Sequence, residues 1–70
     1  MTRCFMLALV VFWNDGRVDH EFWPVDGLGN EMHTAEECLE FARYRRAWLR
    51  QWYDVRLVRI EGCLFRGENA

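Results

Sequence analysis

Four arginines and four aromatic residues crowd into the twelve positions FARYRRAWLRQW, residues 41–52. Arginine is a flat, permanently charged donor that grips phosphate or carboxylate with two hydrogen bonds. Tyrosine and tryptophan are the side chains that most often anchor protein interfaces. The stretch could therefore touch phosphate, dock a partner, or simply close a small core.

Winding it into a helix sorts these options. At about 100° per residue, Ala42 and Leu49 fall within about 40° of Cys38 and form a small aliphatic seam that can face a sheet. Phe41, Tyr44, Trp48 and Trp52 form an aromatic band on one side of that seam. Tyr44, Trp48 and Trp52 are the candidate partner anchors, and the alternative is that they are ordinary core aromatics. Arg43, Arg46 and Arg50 form a stripe on the other side, the candidate contact for nucleic acid. Arg45 lies inside the apolar arc, where it must snorkel to the edge or pair with an acid, for instance one from a neighbouring strand.

Other chemistry is harder to find. No Ser/His/Asp or Cys/His constellation stands out, so no catalytic residue is expected. His20 reads as a core histidine rather than a base. The stretch DGLGN lacks a following Lys-Ser/Thr and is not a P-loop. So short a chain also has little room for a preformed pocket. His20, His33 and the cysteines lack zinc-ligand spacing, so neither a metal nor a cofactor is expected. Cys4, Cys38 and Cys63 contain no CxxC pair and leave one cysteine over, which suits a reducing cytoplasm better than a disulfide scaffold. The spacing still allows a Cys38–Cys63 bridge.

Charge is divided along the chain. The net charge is −2, which argues against a general nucleic-acid binder. Residues 14–40 hold eight acids against one arginine, whereas residues 41–66 hold seven arginines against two acids. Helix-dipole complementarity and internal ion pairs account for part of this division. The composition, 51% hydrophobic and 16% aromatic in 70 residues, is more apolar than one small domain easily hides. A homodimer or a bound partner would cover the excess.

The elements that must position these residues are legible. Residues 4–13 are apolar on both parities and read as a central strand. The run MTRCFMLALVVFW looks like a short leader, but no small-x-small cleavage site follows, and it is too short to cross a bilayer as a helix. Asp15-Gly16 signals a two-residue hairpin turn. That turn pairs Trp13 with Val18, Val11 with His20 and Leu9 with Phe22, and leaves Asp19 and Glu21 on the opposite face. A second strand spans 18–23 and stops at Pro24. Thr34-Ala35-Glu36-Glu37 is a capping box opening a helix over 35–52. A third strand over about 54–61 has muddled parity, and residues 66–70 read as a loose tail. A right-handed crossover then gives a single α+β domain, β-β-α-β. Its three-stranded antiparallel sheet has order 2-1-3, with one helix on one face. The other face stays uncovered and points to self-association or a partner.

This hairpin–helix–strand plan, with the helix opening TAEECLEFA (residues 34–42), resembles the tiny proteins encoded by phages and other mobile elements, anti-CRISPR inhibitors among them. The resemblance implies an inhibitor or adaptor that binds a host protein or ribonucleoprotein complex. In that setting Asp15, Asp19, Glu21, Asp26 and Glu31 would imitate DNA phosphates toward a basic groove.

Overall fold

A computed structural model describes the backbone over residues 2–69 and the side chains over residues 4–65. Its elements are β1 (Thr2–Trp13), β2 (Val18–Trp23), α1 (Ala35–Trp52) and β3 (Val55–Asn69). The sheet has order β2-β1-β3 and both pairings are antiparallel. One helix packs on one face, giving a slab of 44 × 18 × 16 Å. The α+β architecture expected from the sequence is the one observed.

β1 is central because it can bury both faces. Its odd-numbered residues Leu7, Leu9 and Val11 are at most 1% exposed and meet Cys38, Phe41, Ala42 and Leu49 of α1. Each such side chain contributes roughly 1.5–3 kcal/mol by leaving water. The seam of the helix faces the sheet as its wheel requires. Thr34 caps the helix, accepting the Glu37 N–H at 3.0 Å. Glu37 reaches back one residue further than a standard capping box, and its Oε2 accepts the His33 N–H at 2.8 Å. The Tyr53 N–H closes the other end on the Leu49 carbonyl.

The hairpin differs from expectation. Trp13 donates its N–H to the Arg17 carbonyl, and the Gly16 N–H turns back to the Trp13 carbonyl at 3.1 Å. The loop is thus three residues, Asn14-Asp15-Gly16, with Gly16 at φ +93° in the left-handed position that three-residue loops require. One extra loop residue slips the register by one. Phe12 pairs with Val18, Val10 with His20 and Ala8 with Phe22. A one-residue slip turns every β2 side chain over. Asp19, Glu21 and Trp23 therefore lie on the helix side, while Val18, His20 and Phe22 lie on the uncovered side. His20 is exposed there, not a core histidine.

β3 extends to Asn69, past the end expected near residue 61 and through most of the segment expected to be a loose tail; Ala70 lies outside the described residues. Its muddled parity has a cause. Register jumps leave Arg56, Glu61 and Arg66 as the extra residues of three irregularities against β1. Every jump flips the following side chains, so no single alternation runs the length of the strand.

The slip also answers Arg45. The Glu21 carboxylate takes both Arg45 Nε and a terminal nitrogen at 3.0 Å. The guanidinium lies over the rings of Trp23 at 5.0 Å and Trp48 at 4.7 Å. Burial raises the Glu21 pKa, but the Arg45 and Trp23 hydrogen bonds and the Arg45 charge outweigh it and hold the carboxyl below its ordinary 4.5. A carboxylate with a lowered folded pKa stabilises the fold above its unfolded pKa and loses that contribution as pH falls through the folded value. Thermal midpoints should therefore fall as the pH is taken below 4.5, and Glu21→Gln should be less sensitive over that window. At neutral pH Glu21→Gln should cost about 2 kcal/mol, because it strands a half-buried guanidinium; urea unfolding at both pH values measures this.

Candidate interaction surfaces

The uncovered sheet face is built in rows. Val18, Phe12 and Leu57 form one row, His20, Val10 and Arg59 the next, then Phe22, Ala8 and Gly62, then Met6 and Leu64. Val10 and Ala8 are buried by their flanking neighbours, whereas Val18, Phe22, Leu57 and Leu64 are 41–59% exposed. Arg59 has Glu61 beside it, at 3.8 Å. Because the register slip takes Asp19 and Glu21 to the helix side, this face is more apolar than the sequence led one to expect.

The helix presents a second surface. Tyr44 and Trp52 are 63% and 64% exposed. Trp48 is half-buried against the core and tilts onto Tyr53, ring centroids 5.4 Å apart. Of the three aromatic candidates, two are open to a partner and Trp48 is mostly occupied by its own fold. Arg43 and Arg50 are exposed and Arg46 is half-exposed. None of the three is in an ion pair among the described residues.

The five acidic candidates do not form one patch. Asp15 closes its own turn, accepting the Arg17 N–H at 3.0 Å and ion-pairing with Arg17 Nε at 2.8 Å. Those contacts, the backbone one foremost, lower its pKa. Asp19 accepts the Trp13 indole N–H, and Glu21 holds Arg45. Asp26 accepts the N–H groups of Asn30 and Leu28, at 3.0 and 2.8 Å, and these hydrogen bonds lower its pKa. Glu31 accepts the Cys4 thiol at 2.7 Å. Local structure thus employs each of them.

Asp26 and Glu31 do share a cleft of about 1100 Å³ between the 26–33 loop and α1. Its floor is Met32 and Phe41, and its walls add Glu37, Glu40, His33 and Tyr44. The expectation of little room for a pocket is corrected by this cleft, whose loop wall is tied by the Asp26 hydrogen bonds and by the Phe5 N–H to Met32 carbonyl bond of 2.8 Å.

Two cysteines are bridged. Cys38 of α1 and Cys63 of β3 form a disulfide with Cα atoms 6.0 Å apart, and Cys4, buried, lies outside that bridge. The fully reduced reading of the cysteines is therefore corrected. Linear spacing showed no metal motif, but folding brings the ligand atoms of Cys4, Glu31 and His33 within 4.8 Å of one another.

Among the described residues no helix is long and apolar enough to cross a membrane. Comparison with protein families, with curated proteins and with solved structures finds no match to this chain. The functional reading therefore rests on the surfaces themselves.

Proposed function

We propose that the chain is a non-enzymatic protein-interaction module that pairs with a second copy of itself through the uncovered sheet face. The pair would leave α1 and the acidic cleft outward to hold a host protein or ribonucleoprotein, as the inhibitors and adaptors that its layout resembles do. The observation that carries this reading is the face on which Val18, Phe22, Leu57 and Leu64 stand exposed around a buried Val10–Ala8 centre.

A second copy fits this face by shape and by charge. Two strands of about 12 residues and the six-residue β2, at about 4.8 Å spacing and about 3.3 Å rise, give about 475 Å² per copy. The pair then buries about 950 Å², at the lower edge of specific interfaces, so the expected pair is a weak, concentration-dependent one. Arg59 is offset by Glu61 beside it, so the arginine and the acid of this face bring no net charge to repel its own copy. Two sheets pack face to face about 10 Å apart, and the product is a four-layer α/β/β/α dimer.

Sedimentation velocity over a concentration series tests the reading. The 8.5 kDa chain is expected to shift to twice that mass as concentration rises, and a monomer throughout contradicts it. An oligonucleotide in the same runs tests a second reading, favoured by Arg43, Arg46 and Arg50, which have no ion pair among the described residues: a salt-sensitive complex would make the chain a nucleic-acid accessory protein. The proposed location is the cytoplasm, whose reducing poise would open the Cys38–Cys63 bridge seen in this structure. Chains alkylated at lysis test this: three blocked cysteines support the location, and a Cys38–Cys63 pair protected from alkylation would place the protein in an oxidising compartment.

A further inference from the structure

We propose that Cys4, Glu31 and His33 form a binding site for a divalent transition metal of the zinc class. The three side chains come from β1 and from the loop before α1, 27 residues apart at the closest, and the backbone brings them together. Phe5 pairs with Met32 in an antiparallel bridge, with the Phe5 N–H on the Met32 carbonyl at 2.8 Å. Met32 is turned into the core at 1% exposure. Its neighbours Glu31 and His33 therefore turn the other way, as Cys4 does relative to Phe5, because side chains alternate along extended chain. The result is a sulfur, a carboxylate oxygen and an imidazole nitrogen within 4.8 Å of one another.

That donor set is borderline-soft and matches zinc, which takes Cys, His and carboxylate ligands at about 2.0–2.3 Å. Calcium and magnesium, which want oxygen alone, fit it poorly. The Cys4 sulfur lies 2.7 Å from a Glu31 oxygen. There the thiol donates its proton to the carboxylate, so a metal entering the site must displace that proton and open the pair to the roughly 3.5 Å that two tetrahedral ligands at about 2.0–2.3 Å require. On metal binding the Cys4 proton leaves to solvent and the thiolate, the Glu31 carboxylate and neutral His33 each donate an electron pair. Three protein ligands leave a fourth position for water or a partner's side chain. Glu31 and His33 both line the cleft, so the metal has a route in, past the carboxylates of Asp26, Glu37 and Glu40 that favour a cation. Glu37 supports the site by accepting the His33 N–H.

Cobalt(II) added to the full chain, with the Cys38–Cys63 bridge intact and Cys4 reduced, provides the test. Cys38 and Cys63 are then held in the disulfide, so a thiolate-to-cobalt charge-transfer absorption reports on Cys4. One equivalent of cobalt should produce that absorption and zinc should abolish it. His33→Asn, at an exposed position, should weaken binding by at least the about tenfold that loss of even a supporting contact costs, and Cys4→Ser should remove the absorption. Glu40→Gln, on the cleft wall, should leave affinity nearly unchanged. No charge-transfer absorption in the parent chain, or equal losses from Glu40→Gln and His33→Asn, would overturn the proposal and leave only diffuse cation binding by the acidic cleft.

Discussion

Reducing the Cys38–Cys63 bridge lowers the thermal midpoint by about 15–25 °C. The bridge closes a loop of 25 residues, and constraining the unfolded chain over that length is worth about 3.5 kcal/mol. In a domain of this size each kcal/mol moves the midpoint by about 4–8 °C. The bridge also fastens the two elements that need fastening. α1 lies over β1 and β3 and is held to the edge strand β2 by the Arg45 cluster. Cys38 sits fully buried in the first half of the helix, at the seam, and Cys63 sits opposite Leu7 on the covered face. Calorimetry with and without reductant measures the effect, and Cys38→Ala/Cys63→Ala should reproduce it without responding to reductant. An unchanged midpoint on reduction would mean that packing alone holds the helix.

Phe22→Glu should weaken self-association by about 100-fold or more while leaving the monomer's stability within about 1 kcal/mol. Phe22 is 59% exposed on the uncovered face, so its removal empties no cavity. In a two-fold pair the substitution enters twice and places two carboxylates in an apolar contact, where an unpaired charge is costly. A hundredfold corresponds to about 2.7 kcal/mol. Tyr44→Glu, equally exposed but on α1, is the matched control and should leave the pair intact. Sedimentation of the three proteins, with urea unfolding for stability, separates a lost interface from a lost fold.

How much of this was readable from residue types depends on how local each signal is. The helix over 35–52, its Thr34 cap and the seam of Cys38, Ala42 and Leu49 follow from spacing within a few turns, and the structure places them so. The strand order follows from the handedness of one crossover. The faces of β2 did not follow, because Asn14-Asp15-Gly16 serves either a two- or a three-residue loop. That choice is settled at a distance: only the three-residue loop puts Glu21 beside Arg45, Trp23 beside Phe41 at 5.3 Å and Asp19 beside the Trp13 indole. An awkward arginine in an apolar arc was a sound reason to look for an acid on β2, and it carried more register information than the turn did. The β3 parity was unreadable because Arg56 and Glu61 are extra residues whose presence shows only against β1. The Cys4–Glu31–His33 cluster was invisible for a similar reason: its members meet through the Phe5–Met32 bridge, which no spacing within either segment announces.

Isotope-filtered NMR on a mixture of labelled and unlabelled chains reads directly whether a second copy docks on the uncovered face of the sheet. Intermolecular contacts are expected from the methyl groups of Val10, Val18, Leu57 and Leu64, and none from Leu39 on the helix. Intermolecular contacts confined to the helix, or absent at concentrations where the chain is tenfold above its apparent saturation by sedimentation, would contradict that docking.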